Sequence, residues 1–114
     1  MAVQSPQELV AQWGHKKPEA LAAALGYTVV RREDGPVLPA VSVFSEYQPE
    51  HTILLYTHAI ADLARTRGES VAVLEQWHIA HELYHALCEA ATPWRARELA
   101  ADLWADELLL LLRG

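Results

Sequence analysis

A chain of 114 residues, 52% hydrophobic and 21% charged, has the balance of one globular domain, with apolar mass enough for a real core and too little length for two. A formal net charge of -6 and scattered arginines such as Arg31, Arg32, Arg65, Arg67, Arg95 and Arg97 provide no basic field for phosphate backbones, which argues against nucleic acid as a direct ligand. The opening MAVQSPQELV lacks the features of a signal or transit peptide, no apolar run nears the ~20 residues of a bilayer span, and the single Cys88 reads as a small buried hydrophobe, so a cytoplasmic protein with no membrane contact is expected.

Ser5-Pro6-Gln7-Glu8 combines a capping oxygen, a proline at the first helical position and a glutamate at the third, predicting a short helix to about Trp13 that stops at Gly14. A second, alanine-rich helix begins near Pro18-Glu19 and ends at Gly26. The composition then changes. YTVVRRED, PVLPAVSVF and HTILLY are β-branched or aromatic runs parted by Asp34-Gly35-Pro36 and Gln48-Pro49-Glu50, predicting three strands in a small, mostly antiparallel sheet. Pro39 removes a backbone donor from the second run and assigns it an edge or a bulge. From Thr57 the period is helical: Thr57 is the expected cap of a helix carrying Ile60, Leu63 and Ala64 and closing at Gly68. Ser70 or Glu69 opens a long helix to about Ala91, and Thr92-Pro93 starts the last one. Without an internal repeat or a linker, residues 1–114 read as a single α+β domain: two short helices, a sheet, then three helices.

The chemistry concentrates in WHIAHELYHALCEA, residues 77–90. His81 and His85 are four apart, so on a helix their Cβ atoms lie about 5–6 Å apart on one face and the rings can converge on one ion. Glu82 falls roughly 100° from His81 and about 60° from His85, flanking such an ion without ligating it, where a general base would stand. Ile79, Ala80, Leu83, Ala86, Leu87 and Ala90 form an apolar stripe that anchors the helix on the sheet and turns the histidines towards a cleft. A zinc site needs a third protein ligand and an open position. Glu89 follows on the same helix, where it would struggle to meet both histidines at one ion. Glu98, in RARELAADLWADELLL on the last helix, has Ala101 and Ala105 within roughly 60° of it, small residues that let two helices approach closely, and is the better candidate. Acids near a helix start are also favoured by the helix dipole alone.

Asp102, one turn beyond Glu98, is placed to accept the ring N–H of a ligating histidine, and His78, one turn before the pair, to line the cleft or steady an oxyanion. Tyr47, Tyr56, His51 and His58 lie where strands end or a helix begins and receive no role. Trp13, Trp77, Trp94 and Trp104 read as packing residues.

IAHELYHAL, followed about a dozen residues later by RELAADLWADELL, resembles the compact zinc metallopeptidase domains of the gluzincin type, close to the ImmA/IrrE-like domains, whose short zinc helix precedes a helix with a Glu-x-x-Ala type signature. HTILLYTHAIADLA, a strand running into a helix just before, fits the same order, so the resemblance spans roughly residues 40 to 112. It implies zinc held by His81, His85 and Glu98, Glu82 as catalytic base, and a peptide or protein substrate. The alternative is a non-catalytic zinc-binding regulatory or interaction module. Leu108 to Leu112 form a partner-facing or buried helix end that suits a homodimer.

Overall fold

The computed structural model describes residues 4–33, 45–48, 51–88 and 94–113. In chain order these form α1 (Pro6–Trp13), α2 (Pro18–Ala24), β1 (Thr28–Arg32), β2 (Ser45–Gln48), β3 (Thr52–Tyr56), α3 (Thr57–Arg67), α4 (Val71–Leu87) and α5 (Trp94–Leu112). The α+β class is the expected one.

Local chemistry sets most of the helix ends. The Ser5 hydroxyl accepts from the Glu8 N–H while the Glu8 carboxylate accepts from the Ser5 N–H, the reciprocal box that opens α1. Gly68, at φ 66° and ψ 33°, closes α3 in the left-handed conformation that a side chain would resist. Ser70 caps α4 by accepting from the Val73 N–H, a contact worth about 1 kcal/mol. Thr57 is not a cap: it is the first residue of α3, and its hydroxyl donates to the Arg32 carbonyl, tying the helix to the end of β1. Helix α4 ends at Leu87, short of Ala91, because Cys88 is extended, and that cysteine is half-buried rather than fully enclosed. The expected start of the last helix at Thr92-Pro93 and the strand over 36–44 lie outside the described residues.

The sheet is mixed, which corrects the mostly antiparallel expectation. Its order is β1-β3-β2, with β3 parallel to β1 (Val30 opposite Leu54) and antiparallel to β2 (Ser45 opposite Leu55). Residues Ile53, Leu54, Leu55 and Tyr56 are all buried, so β3 is covered on both faces and belongs in the centre, where it can pair on both sides. β1 is more exposed and takes an edge. In going from β1 to β2 the chain therefore skips a place, which β3 then fills, and β1 and β3 end up pointing the same way.

Helix α4 is the centre of the molecule. It packs on β2, β3, α2 and α3, and on α5. Ile79, Ala80 and Leu83 are fully enclosed and join Leu9, Leu21, Ile53, Leu55, Ile60, Trp104 and Leu108 in one core. Each large apolar side chain buried this way stabilises the fold by about 1.5–3 kcal/mol relative to exposure. Of the C-terminal leucines, Leu108 is fully buried and Leu109, Leu111 and Leu112 are half-buried, so most of that run serves the protein's own interior. The exposed ones are Leu99, Leu103 and Leu110, which share one face of α5. Among the described residues no helix is long and apolar enough to cross a membrane.

Candidate metal centre

Helices α4 and α5 meet through a ladder with one rung per turn. On α4 the rungs are Trp77, His81 and His85, and on α5 they are Asp106, Asp102 and Glu98, so the two helices run antiparallel with matched spacing of four. Asp106 accepts from the Trp77 indole N–H at 2.7 Å. Asp102 Oδ1 lies 2.9 Å from His81 Nδ1, at hydrogen-bonding distance but approached obliquely. Glu98 spans both histidines, with Oε1 2.7 Å from His85 Nε2 and Oε2 3.3 Å from His81 Nε2. Ala101 and Ala105 are fully buried beside these rungs, the close approach their size allows.

His81, His85 and Glu98 each offer one donor atom, and the three atoms lie within 4.8 Å of one another. The two Nε2 atoms are 3.2 Å apart. Donors about 2.0–2.1 Å from a tetrahedral zinc sit about 3.3–3.4 Å from each other. The 3.2 and 3.3 Å separations match that spacing, and the 2.7 Å separation is shorter, at hydrogen-bond length. Two imidazoles and one carboxylate are also a donor set that zinc accepts, and an acid beside the Nδ1 of a ligating histidine, where Asp102 stands, helps to fix its tautomer. The residues present therefore fit a zinc ion. The Trp77 ring lies 5.3 Å from that of His81, tilted by 30°, and helps to hold the imidazole plane.

Of the histidine pair, His81 is buried and His85 half-buried, so among the described residues the cluster is more enclosed than the expected cleft. His78, His81 and Glu82 are 7%, 8% and 6% exposed, because the sheet covers one side of α4 and α5 covers the other. The more open side of the cluster is α5, where the Glu98 and Asp102 side chains keep 37% and 49% of their exposure. Glu82 stands next to the cluster without joining it, Oε2 being 4.0 Å from His81 Nε2. The same oxygen accepts from the Ser45 hydroxyl at 2.6 Å.

His78 takes neither position foreseen for it. Its Nδ1 lies 3.4 Å from Ser45 Oγ, behind Glu82. Burial, reinforced by the nearby His81 and Arg67, pushes its pKa down to about 4, so the ring is neutral near pH 7. The Ser45 hydroxyl donates to the carboxylate at 2.6 Å, and its contact with His78 is the longer of the two. Ser45 had no signal in the sequence, since one serine in a β-branched run looks like any strand residue. His51 packs its ring on Tyr27, Tyr56 is buried at the start of α3, and His58 is exposed; none contributes to the three-donor cluster. Glu89 lies outside the described residues.

No family model matches the chain, and no curated protein or solved structure matches it significantly.

Proposed function

We propose that this chain is a zinc-dependent peptide hydrolase of compact gluzincin, ImmA/IrrE-like type. The observation that carries the reading is the convergence of His81, His85 and Glu98 from two helices, with a second carboxylate, Glu82, buried beside them and outside the set. When bound, zinc supplies Lewis acidity, polarising a carbonyl and bringing a water pKa towards about 7. His81, His85 and Glu98 would hold the ion, the first two from α4 and the third from α5. Glu82 takes a proton from the attacking water and returns it to the leaving amine, one carboxylate serving both transfers. A peptide substrate lies along β2, which is an edge strand of the described sheet and carries Ser45 against Glu82. Strand addition there brings a substrate backbone alongside the base. A cytoplasmic site of action goes with this reading.

The near-complete burial of His81 and Glu82 favours a second reading, a zinc module that binds or regulates without hydrolysis. Glu82→Gln separates the two. In the hydrolase its zinc content equals wild type while cleavage of a pool of internally quenched peptides falls by about 100- to 10,000-fold, the range of a lost general base. Cleavage undiminished by Glu82→Gln refutes the role of Glu82, and a zinc-loaded wild type inert towards the pool moves the assignment to the binding module.

A further inference from the structure

We propose that Ser45 is the positioning residue for Glu82: its hydroxyl, backed by His78, holds the carboxylate at the metal cluster. The proposal rests on the reading of Glu82 as a base that addresses a metal held by His81, His85 and Glu98.

A glutamate reaches its target through three rotatable bonds, so a carboxylate that must act on one atom has to be restrained by its surroundings. Ser45 supplies that restraint from a different layer of the fold. It opens β2, where pairing with Leu55 of the central strand fixes its backbone, and its Oγ lies 2.6 Å from Glu82 Oε2. That length is typical of a hydrogen bond from a hydroxyl to a charged oxygen, roughly twice as strong as a neutral one. Oε2 is also the Glu82 oxygen 4.0 Å from His81 Nε2, so the atom that Ser45 grips is the one beside the ligand set. His78 Nδ1 also touches Oγ, at 3.4 Å, and the contact with Glu82 is much the shorter of the two.

The same geometry excludes Ser45 as a nucleophile. In a serine hydrolase the hydroxyl gives its proton to an imidazole nitrogen that accepts it. Here the hydroxyl donates to a carboxylate at 2.6 Å, and the imidazole nitrogen beside it stands farther off, at 3.4 Å.

The test uses the full chain loaded with cobalt(II) in place of zinc, whose visible absorption reports the surroundings of the ion. Wild type, Ser45→Ala, Ser45→Thr and Glu82→Gln are compared after equal cobalt content and cooperative melting have been checked. The expected result is that Glu82→Gln changes the band shape, Ser45→Ala shifts it in the same direction, and Ser45→Thr, which keeps the hydroxyl, restores the wild-type spectrum. Peptide-pool hydrolysis follows the same order, kcat falling about 10- to 100-fold in Ser45→Ala with KM unchanged, as for a misplaced catalytic group. A Ser45→Ala spectrum equal to wild type, while that of Glu82→Gln differs, overturns the positioning role and leaves the metal reading standing. A Glu82→Gln spectrum equal to wild type, or failure of the wild type to take up cobalt, removes the reading beneath it and the proposal with it.

Discussion

Replacing Glu98 by alanine tests the junction of the two helices and the metal together. Zinc that binds only the folded chain stabilises it by about 4.1 kcal/mol when free metal is 1,000 times the dissociation constant. For a domain of 114 residues the entropy of unfolding near 60 °C is about 0.24 kcal/mol/K, so on the proposed zinc site wild type should melt about 17 °C higher with zinc than with a chelator. Glu98 is the one proposed ligand that α5 contributes and the group within reach of both Nε2 atoms. If its loss weakens binding about a hundredfold, the zinc increment at the same metal concentration falls to about 1.4 kcal/mol, or about 6 °C. Under chelator the two proteins should differ by no more than about 1 kcal/mol, about 4 °C, because a carboxylate with 37% of its side chain exposed makes only a weak ion pair. Scanning calorimetry of wild type, Glu98→Ala and Glu89→Ala, each with zinc and with chelator, measures all these quantities. A full wild-type increment in Glu98→Ala, or its loss in Glu89→Ala instead, refutes the ligand set drawn from the α4–α5 ladder.

His81→Ala and His85→Ala should each lose most of the one equivalent of zinc expected in the wild type, and retention of metal in both, by elemental analysis, contradicts the centre. Ala105→Leu forces extra methylenes into a fully buried position on α5; it should lower stability by about 1–3 kcal/mol and weaken zinc binding by prising Glu98 from the histidines. Metal affinity unchanged in that variant, by competition with a chromophoric chelator, would show that the ladder tolerates separation. For His78 the folded pKa, about 4, lies below the usual histidine value, so between about pH 6.5 and 4 the unfolded chain binds more protons. Its contribution to stability is present above that window and lost as the pH falls through it, with a slope of up to about 1.4 kcal/mol per pH unit. Denaturant titrations of metal-free protein should therefore show a flatter acid limb in His78→Gln, and parallel limbs for the two proteins would disprove the buried neutral ring.

Much of this protein could be read along the chain because the forces concerned act within a turn or two. Ser5, Gly68 and Ser70 mark helix ends through bonds to residues three or four positions away. The pairing of His81 with His85 follows from helical pitch, and the four-residue spacing of Glu98, Asp102 and Asp106 repeats that of Trp77, His81 and His85 on the partner helix. The sheet was legible only in part. The unbroken apolar run Ile53-Leu54-Leu55-Tyr56 is the mark of a central strand, yet the turn residues around Asp34 suggested consecutive hairpins, and strand order depends on which surfaces the helices cover. Two further properties were decided by tertiary structure alone. The burial of His81 and Glu82 requires a sheet on one side of α4 and a helix on the other, and the Ser45 contact joins residues 37 positions apart. Helical period tells which side chains share a face; what stands opposite that face depends on how separate elements pack, because their contacts are made through space rather than along the chain.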